Sequence, residues 1–267
     1  MKRVLRSPAK INIGLWVIGK RPDGYNEIRT IFYRFDELFD EIEIEESEEL
    51  QIIVEGMHIP MQENTVYRAI RLLEEITGYS FPLRVIIKKR IPAGAGLGGG
   101  SSNAGIILDF LNDFYRLGIP GEELISLSSR IGADVPFFVS GFRMAVGRGI
   151  GEELEGVDMV IPFSINVHVP DVFIETARMY GEVERRNLYV SEEYAEGKIN
   201  SIIQALREKD FDKLSVNVEN VFQEVAIQLY PELRDFRNML EKTYPLVFMS
   251  GSGSAFVGMK PLKFFHE

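Results

Sequence analysis

Residues 92–103 read Pro92-Ala93-Gly94-Ala95-Gly96-Leu97-Gly98-Gly99-Gly100-Ser101-Ser102-Asn103. Five of the seven residues from 94 to 100 are glycines, and glycine lets the backbone approach an anion closely. The alternation from Leu83 to Lys89 predicts a strand before the loop, and apolar spacing predicts a helix from about Ser102 to Leu117 after it. Such a helix points unpaired N–H groups and its positive dipole end at the loop. The stretch therefore predicts a phosphate-binding loop.

Known phosphate-loop patterns fit this stretch only in part. It lacks the lysine of GxxxxGK[ST]. Gly94, Gly96 and Gly99 satisfy GxGxxG, but no acidic residue follows about 20 residues later at a second strand end. Ser101 and Ser102 are candidates to cap the helix, to bind Mg²⁺ or to do both, with Ser102 as the preferred Mg²⁺ ligand. A glycine-rich connector without a ligand remains the alternative.

Composition narrows the class of protein. The chain has 267 residues, 45% of them hydrophobic, which is enough for a sizeable core. Acidic residues number 40 against 30 basic ones, and no long Lys/Arg run is present, so nucleic acid is not an expected partner. The absence of cysteine excludes disulfides and thiolate nucleophiles. We find no apolar run of about 18 residues and no secretory signal pattern, and therefore expect a cytoplasmic protein without a membrane partner.

The three histidines do not form a metal-binding pattern. They lie far apart in sequence, at His58, His168 and His266. A transition-metal site usually needs several such ligands together, so we interpret them as isolated side chains.

The N-terminal part of the chain is predicted to contain strands, a turn and a helix. Apolar residues alternate from Ile11 to Val17, and Ile42, Ile44, Ile52 and Val54 repeat that pattern, as in strands. Pro22-Asp23-Gly24 has the order of a tight turn. A helix is predicted after Asn64, with Gly78 as its C-terminal stop.

A second layer is predicted beyond a boundary near Glu155. A short helix at 122–131 precedes a glycine-interrupted stretch at 141–151. A strand at 160–169, several helices between Thr176 and Lys242, and a hairpin at 246–258 follow. We therefore expect an α+β protein with two domains, residues 1–155 and 156–267.

Two charged residues stand out against apolar neighbours. Asp134 lies in Ile131-Gly132-Ala133-Asp134-Val135-Pro136-Phe137-Phe138, where a carboxylate is costly to bury without a partner, so it is a candidate general base. An Asp that ends a helix before proline is the alternative. Lys10 enters the first predicted strand, where a lysine is more often part of a solvated face.

Four motifs together resemble the GHMP kinase superfamily of small-molecule kinases. They are Pro8-Ala9-Lys10-Ile11-Asn12, the loop at 94–103, Gly132-Ala133-Asp134-Val135-Pro136 and Gly251-Ser252-Gly253-Ser254. The turn Arg21-Pro22-Asp23-Gly24-Tyr25 and the Gly98-Gly99-Gly100-Ser101-Ser102-Asn103 form of the loop are most similar to the branch that phosphorylates a cytidine diphosphate methylerythritol, in non-mevalonate isoprenoid biosynthesis. The resemblance spans residues 4 to about 257.

The resemblance implies a fold and a mechanism. The fold is a ribosomal-S5-like N-terminal domain, with a left-handed βαβ crossover, and a ferredoxin-like C-terminal domain. The reaction is transfer of the γ-phosphoryl group of ATP, with Mg²⁺, to the 2-hydroxyl of the acceptor. Asp134 is implied as the base, and Lys10 as the group that stabilises its charge and the developing alkoxide. The implied ATP-binding residues are Pro92, Ala93, Gly94, Ala95, Gly96, Leu97, Gly98, Gly99, Gly100, Ser101 and Ser102.

The resemblance also implies an acceptor-binding set. Tyr25 and Tyr180 match positions that stack on the cytosine ring. The remaining implied residues are Asn12, Asn26, Thr176, Asn220, Gly251 and Ser252.

The sequence departs from the family pattern at three places. Asn26 stands where relatives usually have histidine, so an amide has to make the contact of an imidazole there. Gly105 stands where relatives usually have alanine, which costs about 0.5–1 kcal/mol of helix stability. The chain ends at Glu267, whereas relatives continue, so we expect the second domain to be completed irregularly.

Two other functions remain open from the residues alone. A GHMP kinase for mevalonate, homoserine or a sugar shares Lys10, Asp134 and the loop, but does not need the turn before Tyr25. A nucleotide-binding module without activity does not need a buried base beside a lysine.

Overall fold

The computed structural model describes residues 2–57 and 59–262. His58 and His266 lie outside this part of the chain. The protein consists of two compact units. Unit 1 comprises the chain up to Lys10 together with Arg34–Ala93 and Gly98–Phe142. Unit 2 comprises Ile11–Tyr33, Gly94–Leu97 and the described residues from Arg143 onward. The units interleave in sequence, so the domain boundary near Glu155 stays a prediction.

Two long strands each contribute residues to both units. Strand β1 is Lys2–Lys20 and β2 is Asn26–Glu46, and the two pair with each other. The predicted turn joins them, with the Gly24 N–H donating to the Arg21 carbonyl at 3.0 Å. The first predicted alternation lies in β1, and Ile42 and Ile44 of the second lie in β2. The first is buried on both sides, since every residue from Ile11 to Val17 is buried.

Unit 1 combines β-strands with α-helices around one apolar core. Strand β3 (Gln51–Glu55) pairs in parallel with β4 (Leu83–Lys88), which pairs antiparallel with residues 41–46 of β2. Helix α1 (Thr65–Thr77) connects β3 to β4. Helices α2 (Gly99–Phe114), α3 (Gly121–Ser128) and α4 (Val135–Val139) follow. The β3–α1–β4 connection is the parallel crossover; its handedness stays a prediction.

The unit 1 helices confirm one sequence prediction and correct another. Helix α1 begins after Asn64, whose side chain accepts from the Val66 N–H at 2.9 Å, and it ends at Gly78 with φ 69°. Helix α2 begins at Gly99 and ends at Phe114, three residues before each predicted end. Phe114, the last residue of α2, is 39% exposed. The core contains Ile42, Val66, Ile70, Leu73, Phe81, Val85, Ile107, Leu111 and Val135.

Unit 2 contains a second core and sheet. Residues 30–33 of β2 pair with β5 (Met144–Arg148), which pairs with β6 (Glu153–Gly156). A separate antiparallel sheet has the order β7-β9-β8, formed by Phe163–His168, Phe256–Pro261 and Leu246–Met249. The helices are α5 (Thr176–Arg186), α6 (Glu192–Glu208), α7 (Phe211–Ser215), α8 (Val221–Leu229) and α9 (Pro231–Glu241). The predicted hairpin at 246–258 and the α+β class are confirmed.

Across residues 2–57 and 59–262, no helix combines the length and the apolar character that crossing a bilayer requires.

Candidate active site

The start of helix α2 is built on glycine. Gly98 is its N-cap, with φ 69°, and the Gly98 carbonyl accepts from the Ser102 N–H at 2.8 Å. A Cβ at Gly98 would lie 2.9 Å from Cγ of Lys10, so both the backbone conformation and the space require glycine. The predicted capping role of Ser101 and Ser102 is wrong, because both lie inside the helix. The free N–H groups of this first turn are what an anion needs.

Lys10 and Asp134 form an ion pair in unit 1. The Lys10 Nζ lies 3.4 Å from Oδ2 of Asp134. The Lys10 side chain is 4% exposed and that of Asp134 is 31% exposed, so the lysine is the buried partner and the carboxylate faces solvent in part. Asp134 is the residue before α4, whose first four residues are buried. The structure therefore brings the two predicted catalytic residues together, next to Gly98.

Ser102, the candidate Mg²⁺ ligand, is fully buried and already hydrogen-bonded. It is 0% exposed, and its Oγ accepts a hydrogen bond from the Ser7 hydroxyl at 2.7 Å. Within the described ranges, no group of three or more His, Asp or Glu side chains is arranged to hold a metal ion. Where Mg²⁺ binds together with a nucleotide, phosphate oxygens and water usually supply most of its ligands.

The middle of the glycine-rich loop belongs to unit 2. The Ala95 carbonyl accepts from the Ala255 N–H at 3.1 Å, and the Gly96 carbonyl accepts from the Ser250 hydroxyl at 3.1 Å. A Cβ at Gly96 would lie 2.2 Å from the Ser250 carbonyl oxygen. Residues 94–97 are thus fixed against the loop between β8 and β9, which the sequence predicts only as a hairpin.

Asn12 is buried in unit 2 and donates to two side-chain hydroxyls. Its N–H donates to the Ser250 hydroxyl at 3.2 Å, and its Nδ2 donates to the Thr30 hydroxyl at 2.9 Å. The residue is 2% exposed. These contacts indicate that Asn12 supports the Ser250 loop.

Asn220 holds the loop that contains Gly251. Its Nδ2 donates to the carbonyls of Met249 at 2.7 Å and of Gly251 at 2.8 Å. Its Oδ1 accepts from the Phe222 N–H at 2.9 Å and caps α8. The side chain is therefore occupied by backbone groups, which favours a supporting role over direct contact with the acceptor.

Trp16 anchors the residue before Asn220. Its indole N–H donates to Glu219 at 3.1 Å, and the ring is 2% exposed. Burial by itself would raise the pKa of Glu219, but hydrogen bonds from Lys198, Trp16 and Tyr194 hold it below its usual value. The Leu15 N–H donates to the Glu219 carbonyl at 2.8 Å.

Thr176 and Ser252 contact each other, with 2.8 Å between their hydroxyl oxygens. Tyr180, one turn later on α5, packs edge-on against Phe222 with ring centroids 4.9 Å apart. Thr176 is exposed, whereas Tyr180 is partly buried and packs against the edge of the unit 2 core.

Tyr25 and Asn26 follow the tight turn. Tyr25 is 60% exposed, and its N–H donates to Asp23 at 3.1 Å. The Oδ1 of Asn26 is buried and has no hydrogen-bond partner among the described residues. A buried acceptor without a donor is costly, so this atom is suited to a ligand donor. Tyr25 and Tyr180 lie in the same compact unit, although a boundary near Glu155 would separate them.

One ion pair of unit 1 has no counterpart among the sequence predictions. Asp40 is 0% exposed and accepts from the N–H groups of Arg90 at 2.7 Å and Ile91 at 2.8 Å. Its other carboxylate oxygen pairs with the ammonium of Lys89. Lys89 lies in a short basic run that is typical of a solvated surface, and no local pattern marks Asp40.

His168 lies in β7 in the described part of the chain. Its Nε2 is buried without a hydrogen-bond partner among the described residues, and burial lowers the pKa of the imidazole below its usual value.

Two protein-family models match this sequence, one in each half of the chain. Residues 64–142 match the model described as GHMP kinases N terminal domain, and residues 202–261 match GHMP kinases C terminal. The chain is 44% identical over 254 residues to 4-diphosphocytidyl-2-C-methyl-D-erythritol kinase of Persephonella marina, covering 95% of this chain and 89% of that one. It is 40% identical to the protein of the same name from Sulfurihydrogenibium, over 94% of this chain and 89% of the relative.

Solved structures agree in fold. The crystal structure of 4-(cytidine 5'-diphospho)-2C-methyl-D-erythritol kinase superposes with a TM-score of 0.79 at 34% identity, covering 97% of this chain and 90% of that one. Homoserine kinase from Cytophaga hutchinsonii superposes with a TM-score of 0.72 at 16% identity, over 98% and 86% of the two chains, which shows a shared fold only.

Proposed function

The chain belongs to the GHMP kinase family, among its 4-diphosphocytidyl-2-C-methyl-D-erythritol kinases, and we propose that Lys10 and Asp134 carry its phosphoryl transfer. It is an ATP-dependent kinase of isoprenoid precursor synthesis by the non-mevalonate route, acting on the 2-hydroxyl of 4-diphosphocytidyl-2-C-methyl-D-erythritol. The single observation that supports the catalytic assignment is the ion pair of Lys10 and Asp134 next to Gly98.

Asp134 takes the proton of the acceptor hydroxyl as that oxygen attacks the γ-phosphorus of ATP and ADP leaves. The part-exposed carboxylate can reach a substrate, while the buried ammonium of Lys10 orients it and stabilises the developing negative charge. The first-turn N–H groups of α2, with the loop from Pro92 to Ser102, bind the phosphates of ATP.

Mg²⁺ accompanies ATP in this proposal and offsets phosphate charge. Ser102 is the candidate protein ligand, through the lone pair of its oxygen that Ser7 does not use. Because Ser102 is fully buried, most of the ligands would be phosphate oxygens and water.

The acceptor pocket lies in unit 2 in this proposal. Tyr25 supplies an exposed ring for cytosine to stack on, and Asn26 supplies the unpaired acceptor atom. Thr176, Tyr180, Gly251 and Ser252 complete the pocket. Asn12 and Asn220 support it, because the Asn12 N–H donates to the Ser250 hydroxyl and the Asn220 side chain donates to the Gly251 carbonyl. A cytoplasmic location remains a prediction from the sequence.

The test is coupled ADP release with Mg-ATP and three acceptors: the cytidine diphosphate methylerythritol, mevalonate and homoserine. We expect turnover with the first alone. Comparable turnover with mevalonate or homoserine would support another GHMP kinase, and no turnover with any of the three would support a binding module. Identities of 40% and 44% to kinases named for the first acceptor, against 16% to a homoserine kinase, disfavour both alternatives.

A further inference from the structure

Two lysines from outside the glycine-rich loop approach consecutive glycines at the start of α2. The side chain of Lys10 lies against Gly98, as described above. The Nζ of Lys89 lies 3.0 Å from the position that a Cβ on Gly99, the first helical residue, would occupy. All of these residues belong to unit 1. The loop sequence itself contains no lysine, and these two side chains bring positive charge to the start of α2.

Asp40 fixes Lys89 in this position. One oxygen of its fully buried carboxylate accepts from the backbone N–H groups of Arg90 and Ile91, and the other pairs with the Lys89 ammonium. The same carboxylate therefore holds the chain where it enters the loop and the cation beside the helix start. The Lys89 side chain is 15% exposed, so it is shielded but reachable.

The sign of the charge at this place points to an anionic ligand. A helix N-terminus carries a partial positive charge, and a lysine there is unfavourable for the helix. Helix α2 has no side-chain cap and no acidic residue in its first turn. Asp40 offsets the charge of Lys89 but leaves that of the helix end. An incoming polyphosphate would interact favourably with both cation and helix end.

The neighbours of Lys89 are engaged elsewhere. Lys88 pairs with Glu43, and Arg90 pairs with Glu41. Both glutamates lie on β2, where they alternate with Ile42 and so share one face of the strand. These two pairs therefore belong to the sheet.

We propose that Lys89 binds the polyphosphate of ATP, supplying the cation that the loop sequence lacks, and that Asp40 is its positioning residue. This inference rests on the proposed function, because it takes the loop as the ATP site.

The decisive variant is the double substitution Lys89→Met with Asp40→Asn. Lys89→Met alone leaves a buried carboxylate without its cation and is expected to unfold more easily, whereas the amide of the double variant keeps an acceptor for a backbone N–H. Affinities for a non-hydrolysable ATP analogue and for adenosine are measured by calorimetry and competition. We expect the double variant to bind the analogue about 10- to 150-fold more weakly, the range for a charge-assisted hydrogen bond, and adenosine within about twofold of wild type.

The matched control is Lys88→Met with Glu43→Gln, which removes the neighbouring pair of the same chemistry. It should leave both affinities unchanged. Asp40→Asn alone should weaken the analogue, and by less than the double variant, because Lys89 remains but is no longer held. Equal losses for the analogue and adenosine, or an analogue affinity within about twofold of wild type, would overturn the proposal. A wild-type protein that does not bind the analogue would overturn the proposed function as well.

Discussion

Asn26 offers the sharpest test of substrate recognition, because its buried Oδ1 has no partner among the described residues. Cytosine presents an amine at position 4, a donor, where uracil presents a carbonyl oxygen, an acceptor. An acceptor held at Asn26 therefore favours cytidine. Removing it with Asn26→Ala leaves the cytosine amine without a partner, which costs about 1–3 kcal/mol.

That cost corresponds to a loss of about 5- to 150-fold in kcat/KM for the cytidine acceptor relative to its uridine counterpart. Asn26→Asp, which can only accept, should retain the preference for cytidine. Asn238→Ala is the control, since Asn238 is an exposed asparagine on α9. The assay is coupled ADP release with both acceptors at fixed Mg-ATP. Equal discrimination in wild type and Asn26→Ala would refute the reasoning.

Three other changes test the remaining assignments. Asp134→Asn should lower kcat by about 10²- to 10⁴-fold in steady-state assays with ATP affinity retained, and adding Lys10→Met should cost little more; two losses that multiply would contradict a shared step. Gly98→Val should lower the affinity for a non-hydrolysable ATP analogue, measured by calorimetry, far more than the affinity for the acceptor. The valine side chain would meet Lys10, and a β-branched residue disfavours φ 69°. An unchanged affinity for the analogue would place the phosphates elsewhere. Burial lowers the pKa of His168 in the folded state, so the unfolded chain takes up the proton first and stability is lost as the pH falls through about 6.5. His168→Phe should therefore flatten the dependence of Tm on pH between about 7 and 5.5. The same dependence in the variant and in wild type would contradict this.

Local sequence signals predict a helix boundary correctly where the residues that set it lie next to the helix in the chain. Helix α1 begins after Asn64 and ends before Gly78 because these two cap residues act within one turn of the helix. The predicted start of helix α2 is three residues late because glycine is a poor helix former and serine a good cap. Its actual start depends on Gly98 adopting a positive φ beside Lys10, which is a tertiary contact.

The candidate site also contains residues that the sequence indicates and residues that only the tertiary structure brings together. The resemblance to GHMP kinases identifies Lys10 and Asp134, although neither stands out by spacing. The pair of Asp40 and Lys89 escapes prediction because its partners are 49 residues apart and each lies among like charges. Asn220 is predicted as an acceptor contact, yet its contacts to Met249 and Gly251 depend on how the β8–β9 loop folds, which no local pattern encodes.

Trp16 is the one tryptophan in the sequence, so intrinsic tryptophan fluorescence comes from a single known position. Its indole N–H donates to Glu219, the residue before Asn220, so the fluorophore reports on the segment that holds Gly251. Indole emission responds to the charge and hydrogen bonding around the ring. Ligand binding at the proposed acceptor pocket should therefore be visible by fluorescence on the unlabelled enzyme, with Glu219→Ala as the variant that removes the hydrogen bond to the indole.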